Sequence, residues 1–154
     1  MFIGWFLKNA AEQGYRQYVM HAALGGVRAH HAMTRDPETV PADVNLRTLV
    51  DQYFMLRRFH SFPVVDNGRP VGLISLARVK EVPRDEWERR TVRDVMRPLD
   101  DQITVASTDG LTDVLEKIND TDNRRVLVID DGNLVGIITG TDIAGWLKRA
   151  KEMD

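Results

Sequence analysis

No cysteine occurs among the 154 residues, which excludes disulfides, thiolate nucleophiles and thiolate-built metal sites while permitting a reducing compartment. No His-Glu-x-x-His motif occurs either. That removes zincin-type proteolysis by this chain, which needs two imidazoles at i and i+4 with glutamate as the base. Neither sign of charge dominates, and a formal net charge of -2 with a pI near 6.1 lacks the concentrated basic stripe of a nucleic-acid-binding surface. Long hydrophobic runs are missing. The apolar stretch Met1 to Leu7 falls far short of the roughly 20 residues that span a bilayer. Without a basic flank or a small-residue cleavage site, it is not a secretory signal. Ser61 and Ser75 have no partner at a spacing that would make either a nucleophile.

What the chain does contain is a repeat. Residues 33 to 79 recur in diverged form at 96 to 143. The first copy starts at Met33-Thr34-Arg35, continues through Leu46, Leu49 and Val50, and ends in PVVDNGRPVGLIS from Pro63 to Ser75. The second starts at Met96-Arg97-Pro98, continues through Leu111, Val114 and Leu115, and ends in LVIDDGNLVGIIT from Leu127 to Thr139. The offset stays between 63 and 65 residues, so the indels lie in loops. With 43% apolar and 29% charged residues, the chain is large enough for a proper core. Duplication of such a unit predicts two half-domains that bury their apolar faces against each other.

Each copy predicts the same order: a short extended piece (Glu38 to Pro41, Gln102 to Ala106), an amphipathic helix, two strands and a second helix. Leu46, Leu49, Val50, Tyr53 and Phe54 fall at helical spacing, as do Leu111, Val114, Leu115 and Ile118. The strand pairs Phe62 to Val65 with Val71 to Ile74, and Val126 to Ile129 with Leu134 to Ile138, flank glycine-containing hairpin turns. Strands apolar on nearly every residue are covered on both faces, as in an α/β layer architecture. Pro83 to Arg90 reads as a linker anchored by Trp87. Ahead of the repeats, Lys8 to Leu24 fits a helix ended by Gly25-Gly26. The chain therefore divides into an N-terminal helix (1–28), a first repeat with its linker (29–90) and a second repeat (91–154).

The sharpest local feature is Gly136-Ile137-Ile138-Thr139-Gly140-Thr141-Asp142, where a buried strand runs straight into a helix. A hydroxyl at the N-cap, a glycine beside it and free N–H groups in the first turn suit an anionic oxygen such as phosphate. Asp142 could accept both hydroxyls of a ribose. Thr139-x-x-Asp142 is equally a capping box that needs no ligand, and the two roles are compatible. The first copy has Ser75 for Thr139 but Arg78 for Asp142. Arg57-Arg58 and Arg124-Arg125 occupy matched places before the strands, either as solvated helix-end charges or within reach of a ligand phosphate. His21, His30, His31 and His60 are the only imidazoles. No carboxylate lies at helical spacing from the adjacent pair, which argues against a metal there.

These residues carry a family resemblance. With a Met-containing lead-in, the Thr-Val step (Thr39-Val40, Thr104-Val105), a P-V-V-D-like strand and a G-h-h-[ST]-x-x-D end, each copy resembles a cystathionine-β-synthase-type (CBS) domain. The resemblance covers about residues 29 to 150. It implies an α/β tandem CBS pair, two β-α-β-β-α repeats related by a pseudo-two-fold, which binds AMP, ADP, ATP or S-adenosylmethionine between the repeats and forms disc-like homodimers. Carried over, Asp142 holds the ribose, Thr139 and Gly140 the phosphate, with Arg125 in reach of it, and the chain around Thr104 and Val105 frames the adenine. Arg78 departs from the pattern and removes the ribose carboxylate from the first repeat.

A second resemblance concerns the parent protein. Phe2 to Ala11, Tyr15-Arg16-Gln17 and Val82 to Trp87 are similar to the region after the last membrane helix of site-2-protease-type intramembrane zinc metalloproteases. On the residues alone, Met1 to Leu7 reads as a docked amphipathic segment. The resemblance makes it instead the end of a transmembrane helix, and the chain a non-enzymatic regulatory part at the cytoplasmic face. The competing expectation is a structural dimerisation module with a vestigial pocket.

Overall fold

The computed structural model describes residues 26–57, 59–120 and 124–153; the helix expected over Lys8 to Leu24 lies outside them. The first half contains helix α1 (Ala29–Ala32), strands β1 (Thr34–Arg35) and β2 (Val40–Pro41), helix α2 (Leu46–Leu49), strands β3 (Ser61–Asp66) and β4 (Arg69–Ser75), and helix α3 (Leu76–Lys80). The second half repeats this order with α4 (Val92–Val95), β5 (Arg97–Pro98), β6 (Thr104–Val105), α5 (Leu111–Asp120), β7 (Arg125–Asp130), β8 (Asn133–Thr139) and α6 (Gly140–Met153). The α/β duplication expected from the sequence is present, with a helix and strand added at the front of each unit.

Turn chemistry sets both hairpins. Asn67 and Gly68 take φ of 52° and 78°, and Asp131 and Gly132 take 51° and 78°, the two consecutive left-handed residues of the tight turn that matches strand twist. The strands alternate between two cores, as their period of two requires. Phe62, Val64 and Ile74 face the helices of the first half, Val126, Val128 and Ile138 those of the second. Leu73 and Leu127 point the other way and bury with Ile103 in a third cluster, on which Leu99, Ile129, Leu134 and Ile137 pack. This third cluster is why the strands carry apolar residues on both faces.

The connectivity of the sheets departs from a simple pair of repeats. One sheet runs β2-β3-β4-β5, the other β1-β8-β7-β6. The first strand of each half thus completes the sheet of the opposite half. Thr34 and Arg35 pair with Ile137 and Gly136, and Arg97 and Pro98 with Leu73 and Gly72. The helices before them follow. Ala29 and Ala32 bury in the core of the second half, and Val92 in that of the first. Matched backbone bonds fix the exchange: Leu111 N donates to Val27 O at 2.9 Å, and Leu46 N to Arg90 O at 2.9 Å.

One helix differs from expectation. The helix begun at Leu46 is capped by Asn45, whose Oδ1 accepts from Thr48 N at 2.8 Å. It then widens into a π turn over Val50–Phe54, closed by Met55 N to Val50 O at 2.9 Å. Tyr53 and Phe54 both pack on Phe62 there, at ring separations of 5.7 and 5.2 Å. The linker forms a short 3-10 turn at Arg84–Glu86, and Trp87 is its anchor, buried in the first core with Nε1 donating to Val82 O at 2.9 Å. Among the described residues, no helix is long and apolar enough to cross a membrane.

The exchange requires glycine at two positions. A Cβ on Gly136 would lie 2.5 Å from Met33 Sδ and 3.0 Å from Thr34 O; one on Gly72 would lie 2.7 Å from Met96 Sδ and 2.6 Å from Arg97 O. Side-chain sulfur can move, whereas a strand carbonyl cannot. Each Gly→Ala change is expected to cost about 1–3 kcal/mol by overpacking. A double-mutant cycle in urea should show Met33→Ala recovering most of the Gly136→Ala loss. Met96→Ala should recover less of the Gly72→Ala loss, because the Arg97 carbonyl stays in place.

Candidate functional site in the cleft between the two sheets

β8 ends at Thr139, where the chain enters α6 with no intervening loop. The first turn of α6 needs acceptors for its free N–H groups, and Thr139 and Asp142 supply them reciprocally. Asp142 N donates to Thr139 Oγ1 at 3.2 Å, while Asp142 Oδ2 accepts from Thr139 N at 2.9 Å and from the Thr139 hydroxyl at 3.1 Å. The capping box is formed. The other carboxylate oxygen, Oδ1, faces the exchanged strand β1 and accepts from the Thr34 hydroxyl at 3.5 Å.

This junction lies on a cleft of about 680 Å3 walled by both halves. Arg125, Thr139, Thr141 and Asp142 come from the second half, and Asp36, Glu38, Phe59 and His60 from the first. Strand exchange explains the mixture, since β1 pairs antiparallel with β8 and seats Thr34 opposite Ile137 near the end of that strand, with Asp36 and Glu38 lining the same cleft. Asp36 takes φ of 49°, a left-handed turn that aspartate tolerates. Glu38 is ion-paired with Arg57, which also donates to Gln52 O at 2.8 Å. Arg125 sits half-buried at the start of β7. Burial pushes its guanidinium below the ordinary arginine range, and the Asp142 carboxylate partly restores it. Cation and carboxylate therefore share one wall of the cleft.

Of the residues expected from the sequence, Thr139, Asp142 and Arg125 are brought together. Gly140 opens α6 beside them without lining the cleft, and an added Cβ there would meet nothing within 4 Å. Thr104 and Val105, expected from the resemblance to frame the adenine, do not line this cleft. They form β6, pair with Leu127 and Val128, and line a separate cavity of about 510 Å3 near Asp100 and Lys117. The Thr104 hydroxyl donates to Asp100 O at 2.9 Å, and the Thr104 carbonyl accepts from Lys117 Nζ at 2.9 Å. The physical reason is the sheet order, in which β6 lies at the edge opposite β1 with β8 and β7 between them. Thr34, Asp36 and Glu38 line the cleft without having been expected there, because the exchange seats β1 of the first repeat against β8. Their signal was present in the small residue opposite each lead-in methionine.

The first-half counterpart is built differently. Ser75 Oγ accepts from Arg78 N at 3.3 Å and caps α3, while Arg78 Nη1 donates to Val95 O at 3.0 Å. Arg78 thus holds the exchanged helix α4, as Asp142 holds β1. Ser61 is buried on the wall of the cleft, and among the described residues its hydroxyl has no hydrogen-bond partner. His31 Nδ1 accepts from Arg28 N at 2.9 Å. Among the described residues, no three potential metal ligands gather; His21 and Arg58 lie outside them.

Comparison with known proteins agrees with this architecture. The CBS domain family model matches residues 27–85 and 92–149, and the chain belongs to that family. Over 145 residues it is 32% identical to "Putative zinc metalloprotease Rip3" of Mycobacterium tuberculosis, covering 93% of this chain and 37% of that protein. It is 31% identical over 144 residues to "Zinc metalloprotease MJ0392" of Methanocaldococcus jannaschii, covering 93% and 39%. The chain thus spans about two-fifths of the length of these relatives. Among solved structures, CBSX2 in complex with AMP superposes with a TM-score of 0.71 at 22% identity, covering 82% of this chain and 99% of that one. The CBS domain of a bacterial CNNM/CorC family Mg2+ transporter in complex with ATP gives 0.72 at 17% identity, covering 90% and 97%. At these identities the likeness is one of fold.

The reciprocal cap makes a prediction that needs no ligand. Thr139→Ala and Asp142→Ala are each expected to lose about 1 kcal/mol of stability. The double variant should lose clearly less than the sum, because each change already abolishes the shared bonds. Thermal and urea unfolding of the four proteins checks this.

Proposed function

We propose that the chain is a regulatory module that binds an adenosine-containing ligand, AMP, ADP, ATP or S-adenosylmethionine, in the cleft at Asp142. The observation that carries the reading is the placement of a helix-borne carboxylate, a strand-end hydroxyl and a guanidinium around one cleft walled by both repeats. The Asp142 carboxylate suits vicinal hydroxyls. Thr139 and Arg125 suit a phosphate, and Asp36, Glu38 and the Phe59 to Pro63 segment enclose the remainder. Names of proteins with this fold, in complex with AMP and with ATP, support the ligand class. The same reading gives one site per chain, because Arg78 is engaged with Val95 and supplies no acceptor.

Ligand touching both walls favours one relative arrangement of the halves, and by linkage that arrangement biases whatever the chain is joined to. The relatives named as zinc metalloproteases support a protease as the regulated part; the resemblance to site-2-type enzymes extends the proposal to a membrane-embedded protease, with this module at the cytoplasmic face and paired as a homodimer.

Calorimetric titration with the four ligands tests the reading. One ligand per chain is expected, with Asp142→Ala binding roughly ten- to a hundredfold more weakly through loss of bonds to two hydroxyls. A ligand present at 100 times its Kd should raise stability by about 2.7 kcal/mol. No heat and no thermal shift at millimolar concentration would leave the dimerisation-scaffold reading in its place.

A further inference from the structure

Beside the Asp142 cleft lies a second cavity of about 370 Å3 that shares with it the wall of His60, Ser61 and Arg125. Strand register shows what this cavity is. Ser61 pairs with Ser75 as Arg125 pairs with Thr139, so it is the first-half counterpart of the Asp142 cleft. Its chemistry is inverted. The Asp142 cleft is lined by three carboxylates, Asp36, Glu38 and Asp142. The neighbouring cavity is lined by none and carries Lys80, Arg125 and His60 with the hydroxyls of Ser61 and Ser75. The buried Ser61 hydroxyl on the shared wall has no partner among the described residues.

A polarity of this kind, carboxylates at one end and cations with hydroxyl donors at the other, matches a ligand with a hydroxylated end and an anionic end. We infer that the cavity at Lys80 is a phosphate subsite, so that the chain takes a nucleoside di- or triphosphate with its sugar at Asp142 and its terminal phosphates across Arg125 at Lys80. Lys80 is an exposed, flexible point charge suited to a terminal phosphate, whereas the guanidinium of Arg125 can bridge two oxygens. The first repeat, on this view, has exchanged a second sugar site for the far end of the first. This inference rests on the nucleotide reading above only for the sugar end.

The experiment is a set of titrations of the whole chain with adenosine, AMP, ADP, ATP and inorganic tripolyphosphate, repeated on Lys80→Gln and Lys80→Glu. ATP and ADP are expected to bind more tightly than AMP and adenosine. Lys80→Gln should weaken ATP and tripolyphosphate by about five- to tenfold through loss of a charge-assisted bond, with Lys80→Glu weakening both further and adenosine moving little. Equal affinity for AMP and ATP, or ATP binding indifferent to both Lys80 variants, overturns the subsite. Tripolyphosphate binding that depends on Lys80, with no binding of adenosine or AMP, upholds the subsite and overturns the sugar site at Asp142. No binding of any of the five overturns both.

Discussion

The close approach of a methionine-bearing lead-in strand to a glycine on the opposite repeat is the contact on which the architecture depends. Met33 and Thr34 lie where a side chain at position 136 would be, and Met96 and Arg97 where one at 72 would be. Only glycine allows both backbones to pair at that distance. Once these strands are seated, each sheet has four strands instead of three. The helix before each strand is carried into a core it could not otherwise reach. Ala29 and Ala32 close the second core, Val92 the first. Neither half is complete without residues from the other, so the two repeats fold as one unit despite lying in sequence as two.

The composite cleft follows from the same exchange. Asp142 and Thr139 stand at the end of β8, and the neighbour of β8 is β1, which belongs by sequence to the other repeat. Residues just beyond β1, Asp36 and Glu38, therefore wall the cleft on one side while Arg125 walls it on the other. Thr104 and Val105, in β6, lie at the opposite edge of the same sheet, with β8 and β7 between them and β1. They line a different cavity.

That difference marks the limit of what the sequence conveys. Period-two alternation, glycine turns and helical spacing are local signals, and the hairpins, the main helices, the linker anchor at Trp87 and the Thr139–Asp142 cap were all legible from them. The exchange was not, because it is a choice between two equivalent pairings of duplicated segments, and a duplicated sequence presents both. Gly72 and Gly136 carry the only trace, as missing side chains whose reason is a residue on the other copy. The π turn at Val50–Phe54 was illegible for a related reason, since Leu46 to Phe54 obeys helical spacing and the widening accompanies packing of Tyr53 and Phe54 on Phe62. Arg78 was read as a lost ribose contact. It proves to have a positive task, holding Val95 and with it the exchanged helix.

Positions 78 and 142 show how one scaffold position can serve the same structural task with opposite charge. Both reach from the helix after a hairpin to the exchanged segment beside it, Arg78 to the Val95 carbonyl and Asp142 to the Thr34 hydroxyl. The arginine bond joins a cation to a backbone carbonyl at 3.0 Å, whereas the aspartate bond to Thr34 is long at 3.5 Å and weak by geometry. A sugar hydroxyl arriving at Asp142 would compete for Oδ1 with Thr34, the first residue of β1. β1 is preceded by α1, and α1 by the N-terminal part of the chain. On the proposed reading, occupancy is therefore sensed at the strand that leads directly to that part, and the long Thr34 bond is the contact with least to lose when the ligand arrives. The Arg78 bond, at the equivalent position of the other half, is the shorter of the two and involves no residue expected to touch the sugar.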